Sequence, residues 1–461
     1  MKANIGFRSM VSYKVQRITV FSCLFFCVAI CNIRSQTNRL TTSSPIFPTA
    51  ISSEMIGSVQ VLVHPSPEEY RPYPVIHLNT DETIQITFDL LDDIPQIIEY
   101  TITHCNAHWE ASFLNYGEYM QGMEIGQIET SEASWGTMVS YRNYQLTIGK
   151  EGTQQPTISG NYLLKAWIAG KRHTPLFQAA FAVVEELVQV NQEVTPVTMA
   201  SLYDRHQTVN IEVLPSLDEQ THLHSYYQTV VGQNGSQGRN VWLLQPNEIA
   251  TDRWSYRDSH GALFWGGNTF RATEILTDKH NGMGVNHSFF DNGVYCMELF
   301  TDQGRGQKNY ISNRSAQGRY VMRNVEQPQE ARRTTDYYAV RFSLRLGGSV
   351  ANELQDGAVL IEGQALDPLP SSYKKLRYNP ETGLYEREVL LKGGYIGYRY
   401  YPCLSRDSNE LSCTVALNES NVIEGDYYQT ENSYTALVYR RLPTDRYDQL
   451  VGISVIYSAL H

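Results

Sequence analysis

Cysteine is scarce in this chain, seven in 461 residues, and three of the seven (Cys23, Cys27, Cys31) fall within a leading segment. That excludes a disulfide-dense scaffold. Charged residues make up 18% against 42% hydrophobic ones, which excludes a disordered chain as well. After residue 35 no apolar run approaches the roughly 20 residues needed to cross a bilayer as a helix. No G-x-S-x-G elbow, H-E-x-x-H pair or Walker loop is present, and "GQNGSQG" (232–238) lacks the spacing and the following helix of a phosphate cradle. Carboxylates fall in scattered doublets, Asp81-Glu82, Asp92-Asp93 and Glu185-Glu186, that read as solvated turns and edges and nominate no glycosidase pair. The chain is therefore read as a non-enzyme with no cofactor.

The first 35 residues follow a different pattern from the rest. Lys14 and Arg17 precede the apolar run "ITVFSCLFFCVAIC" (18–31), and "NIRSQ" then turns polar. A basic start, a short apolar stretch and a small residue at Ser35 are the parts of an export signal, so residues 1–35 are set aside as a signal peptide. Its loss removes five basic and no acidic residues, taking the net charge from −11 to −16. An acidic surface argues against nucleic acid and anionic membranes as partners.

Tyrosine and glycine are abundant, 31 and 32 residues. Tyrosine suits half-buried pleated surfaces and glycine suits tight turns, which tilts the reading to all-β. "VQVLV" (59–63), "TIQITF" (83–88), "YQLTI" (144–148), "GNYLLKAWI" (160–168) and "QAAFAVVE" (178–185) alternate or cluster as strands, with turn residues between them. The spacing predicts tandem immunoglobulin-like β-sandwich domains: a linker over 36–52, a first sandwich over 53–187, a middle β domain over 188–330 and a last sandwich over 331–461. The last unit opens with "DYYAVRFSLRL" (336–346), continues through "GLYEREVLLKGGYIGYRYY" and has an early-set character.

Two stretches invite chemical readings. In "YTITHCNAHWEASF" (100–113), His104, Cys105 and His108 stand within five positions, yet a zinc tetrahedron needs a second pair of matching quality. His222 and His224 in "THLHSYY" supply only a lone H-x-H. A thiol nucleophile at Cys105 would need a positioned base, and adjacent residues of a strand point to opposite faces. The stretch is read as a polar strand end. In "SHGALFWGGNTFRATEI" (259–275), aromatic residues flank Gly266-Gly267, a pair that lets two backbones approach or bend sharply. Phe264, Trp265, Asn268 and Arg271 are the candidate partner contacts there. Cys403 and Cys413 flank the polar "LSRDSNELS" and are a candidate disulfide, whereas Cys105 and Cys296 read as buried free thiols.

"YTITHCNAHWEASFLNYGEYMQGM" (100–123), "SGNYLLKAW" (159–167), "FWGGNTFRA" (264–272), "YNPETGLYEREVLLKGGYIGYRY" (378–400) and "EGDYYQTENSYTALVYRR" with the following "RYDQLVG" (424–452) resemble, in this order, the plug protein of the type IX secretion system of the Bacteroidetes. The likeness spans nearly the whole mature chain. It implies a non-catalytic, β-rich exported protein of the periplasm, with no small-molecule substrate, that binds the outer-membrane translocon barrel and closes its periplasmic opening when no client is in transit. It makes His104, Cys105 and Trp109 part of a family signature with a structural role. The family usually carries acids where Asn106 and His108 stand, and proline is common at Trp265. The alternative is a carbohydrate-binding or surface-glycan-handling exported protein, although "GQALDPLPSSYKKL" (363–376) holds no tryptophan for stacking a sugar.

Overall fold

The computed structural model describes residues 39–41, 45–67, 70–196, 203–216, 221–311, 316–354, 358–403 and 420–458. The expected signal peptide and Cys413 lie outside the described residues. Residues 39–461 cluster as one compact unit, and the described part is all-β. No helix among the described residues is long and apolar enough to cross a membrane.

The first sandwich packs a four-stranded sheet on a six-stranded one. Strands Ile56–His64, Thr83–Leu90 and Arg142–Ile148 dominate the first sheet; Ile98–Cys105, Gly160–Ile168 and Phe177–Val184 dominate the second. Period-two alternation sends Ile84, Ile86 and Phe88 inward, where they meet Ile102, Leu164 and Phe181 in one core. Phe88 stacks on Tyr144 with centroids 5.0 Å apart.

Beyond residue 187 the strands interleave in a way that local spacing does not announce. A second sandwich pairs Val188–Pro196, His206–Pro215, Trp254–Tyr256 and Ala262–Trp265 in one sheet, and Tyr227–Gln233 and Asn240–Leu243 with Ser433–Arg440 and Gln449–Tyr457 in the other. Between its last two groups of strands the chain leaves to build a third unit. There a ten-stranded sheet running from Arg271–Ile275 to Val285–Asp291 folds over a core of Val340, Phe342, Val389, Ile396 and Tyr400. Strands from 188–330 and from 331–461 thus share both later cores: Tyr227–Gln233 pairs with Ser433–Arg440, Arg271–Ile275 with Gly394–Cys403 and Val294–Leu299 with Tyr337–Arg345.

The segment expected as a linker is packed instead. Arg39–Thr41 pairs with residues 241–243 of the second sandwich, and Ala50–Ile51 pairs with Phe177–Val184 of the first. Ile46 and Phe47 are buried between the two, since an apolar pair flanked by prolines has no better place than an interface.

Candidate functional site

The conspicuous residues of the sequence gather at the joints between sandwiches. At the first joint, strand Ile98–Cys105 ends in a turn, Trp109 N–H donating to Asn106 O at 3.0 Å. The Asn106 side-chain oxygen accepts from the N–H groups of His108 (3.0 Å) and Glu110 (2.9 Å). An aspartate would offer those two donors the same oxygen, so the acid expected at this position is functionally replaced. Ala107 N–H donates to the carboxylate of Asp448 in the second sandwich at 2.9 Å, and Asn161 bridges Asn106 O and the Tyr439 hydroxyl. Trp109 has a φ of +67°, which costs a bulky residue energy. Its indole N–H to Ile46 O, 2.7 Å, and its edge contact with Phe47 hold it there. His108 is exposed and lies 4.4 Å from the Trp242 ring.

His104 is fully buried. Its Nε2–H donates to Ser159 O (3.2 Å) and its Nδ1 accepts from the Ser112 hydroxyl (3.0 Å), the one arrangement in which a neutral ring serves both partners. Burial depresses its pKa to about 4, against weaker upward pulls from Ser159 O and Asp448. Gly160 makes room: a Cβ there would stand 2.3 Å from His104 Nε2. Burial likewise pushes the Cys105 thiol up to about 11, which leaves it protonated and inert. Residues 221–226 form a 3₁₀ turn, so His222 and His224 do not share a strand face. Among the described residues no three His, Cys, Asp or Glu converge as a metal site requires.

The second joint is the crossing of the two chains that enter and leave the third unit. Phe264 and Asn268, expected among surface contacts, are buried: Phe264 packs 5.2 Å from Tyr434, and Asn268 Nδ2 donates to Glu424 O at 2.7 Å. Trp265 is half-buried, 3.8 Å from the His206 ring with the Arg205 guanidinium over it. Gly266 is needed because a Cβ would fall 2.1 Å from Tyr427 O on the returning chain. Across this contact Gly267 O accepts from Tyr427 N–H (2.9 Å) and the Thr430 hydroxyl (2.8 Å), while Gly266 O accepts from Asn432 (2.8 Å). The two signature segments around 264–272 and 424–432 are therefore one strut.

Arg271 locks the strut from within. Its guanidinium forks onto Glu424 (Nε–Oε1 2.9 Å, Nη2–Oε2 3.0 Å) and reaches Asp302 at 2.7 Å. Arg305 adds a second ion pair to Glu424 at 2.5 Å. Burial alone would raise the Glu424 carboxyl; Arg271 and Arg305 outweigh it and leave the pKa lowered. Asp302 also accepts from Tyr398 and Tyr400, both at 2.9 Å. Cys403 is buried at the end of Gly394–Cys403.

A third joint escaped sequence reading. Asp89, on the face of Thr83–Leu90 that alternation assigns to solvent, is buried against the third unit and pairs with buried Lys392 at 2.6 Å. Tyr337 (2.6 Å), Asn143 (2.7 Å) and Ser58 (3.2 Å) complete the shell of Asp89. Lys392 also donates to Arg332 O at 2.5 Å and sits 4.1 Å from the Tyr141 ring. Burial lowers the ammonium pKa, with Asp89 opposing. The one available signal is a lysine closing the apolar run "VLL" (389–391).

Residues 56–185, the first sandwich, match the family model of the type 9 secretion system plug protein first domain. A crystal structure of a hypothetical protein from Parabacteroides merdae ATCC 43184 is 31% identical with a TM-score of 0.80, over 89% of this chain and 99% of that one. A DNA-bound alkylpurine DNA glycosylase AlkC from Pseudomonas fluorescens, 13% identical over 28% of this chain and 30% of its own, has a TM-score of 0.15 and bears on nothing here. No curated protein matches. With the family model on its first sandwich and a 31%-identical structure alongside nearly all of its length, the chain belongs to the type IX secretion system plug protein family.

Proposed function

We propose that this component of type IX secretion binds the outer-membrane translocon barrel from the periplasm and seals its opening when no client is in transit. Membership of the plug family supports the secretion role. The observation that carries the sealing role is the fusion of the three units: every pair of neighbours is joined through buried groups, Phe47 and Leu437 at one joint, Glu424 at another, Asp89 and Lys392 at the third. A stopper must keep its shape under load, and joints with hydrogen-bonded buried charges resist bending where beads on linkers do not.

Contacts with a barrel call for exposed apolar anchors. Phe264 and Asn268 are too buried to serve. Phe113 and Met123, 88% and 74% exposed within the signature segment after His104, are the proposed anchors.

Affinity capture of the mature chain from detergent-solubilised outer membranes tests the reading. Recovery of a very large barrel supports it. Retention on glycan resin with no barrel recovered overturns it in favour of sugar handling. Loss of the protein should also admit large antibiotics across the outer membrane, and unchanged permeability counts against a seal.

A further inference from the structure

Among the described residues, strand Ile56–His64 borders its sheet, hydrogen-bonded on one side to Thr83–Leu90 and on the other to no strand. A cavity of about 290 Å³ lies beside it, and all six residues from Gly57 to Leu62 contribute to its wall. Side chains alternate along a strand, so a cavity over one face is lined by every second residue; six in succession place this one along the backbone edge. On such an edge every second residue points its N–H and C=O outward. Among the described residues no hydrogen bond reaches the outward backbone groups of 57–62. Val321, on the short strand Tyr320–Met322 that pairs with Gly394–Cys403, lines the same cavity. Leu62 and Val321 are 42% and 50% exposed at its margin, and Tyr70 and Tyr73 line its interior.

The charge on the wall has a sign. The Arg319 guanidinium stacks on Tyr70, 3.3 Å from the ring centroid, its Nε is buried without a partner, and among the described residues it makes no ion pair. Lys392 is already neutralised by Asp89. The Asp367 carboxyl is pushed up to about 7 by burial and by Glu362, which weakens it as a counter-charge to Arg319.

We propose that this cleft binds an extended peptide segment carrying an acidic residue, which joins strand Ile56–His64 as an additional strand. An extended backbone is the ligand whose donors and acceptors match a bare strand edge, alternate apolar side chains suit the tyrosine lining, and a carboxylate suits Arg319. The volume is near the low end of the roughly 300 to 1,000 Å³ of ligand pockets. It suits a few side chains of a strand that otherwise runs along the surface. The inference stands apart from the sealing role, since it asks for an extended acidic segment at a strand edge and not for the barrel.

A library of randomised seven-residue peptides selected on the mature protein, followed by anisotropy with fluorescein-labelled winners, provides the test. Winners should alternate apolar and polar residues around an Asp or Glu and slow hydrogen exchange at residues 57–62. N-methylation of alternate peptide amides should abolish binding, while methylation of the intervening ones leaves it intact. L62E and R319Q, both of which should melt like the parent, should each weaken binding at least about tenfold. An unenriched library, winners indifferent to both variants, protection elsewhere in the chain, or concentration-dependent protection of 57–62 from a second copy would each overturn the proposal.

Discussion

Where the first sandwich meets the second, the contact is made of Ile46, Phe47, Tyr73, Val75, Trp109 and Leu437; where it meets the third, it is made of Asp89, Lys392, Tyr337 and Asn143. Both joints are buried, but they fail differently. Truncating an apolar contact loses transfer energy and leaves a cavity, a cost that grows with the volume removed. Removing one member of a buried ion pair strands the other charge without water, which is worse than removing both. An apolar joint is thus tolerant and an ionic one all-or-none, and a chain with one of each holds the first sandwich firmly while fixing its orientation by charge.

The largest effect is expected at the ionic joint. Asp89→Asn should destabilise by about 3 to 5 kcal/mol, while Asp89→Asn combined with Lys392→Met should recover most of the loss. Denaturant unfolding followed by tryptophan fluorescence reads both, and a double variant as poor as the single one breaks the contrast. At the apolar joint, Phe47→Ala should cost about 3 kcal/mol and Phe47→Leu about a third of that, the graded response that distinguishes the two.

The pH response separates the joints again. His104 is held neutral in the folded chain, its pKa lowered from 6.5 to about 4, whereas the unfolded ring takes up a proton near 6.5. Its contribution is therefore complete above about pH 6.5 and is lost as pH falls toward about 4, amounting at most to about 3 kcal/mol. His104→Asn should flatten the stability profile across that window, and an unchanged slope would place the acid sensitivity elsewhere. The smallest effect belongs to His108→Asp, which restores the acid usual in the family at an exposed position; a change under about 1 kcal/mol is expected in the same unfolding assay.

Legibility in the sequence followed the range of the interaction. "GNYLLKAWI" reads as a strand over the same 160–168 that the structure assigns, because alternation and aromatic content are local signals. The glycine pair at 266–267 is legible as a close approach of backbones, though not as the crossing of two chains whose other member lies 163 residues on. Phe264 and Asn268 were misplaced for the same reason: an aromatic and an amide beside a turn look exposed until the returning segment 421–432 covers them. The burial of Asp89 has no local signature because its partner stands 303 residues away.

By itself the sequence determined the all-β character and the family signature, both of which rest on residues near one another in the chain. The tertiary structure alone decided that the third unit is inserted into the second sandwich, since Tyr227–Gln233 must find Ser433–Arg440 some 200 residues later and no local pattern encodes that register. It also decided that His104, Arg271 and Glu424 are parts of joints rather than of a reactive site. A side chain's chemistry is set by what buries and pairs it, and for these three the partners arrive from distant segments.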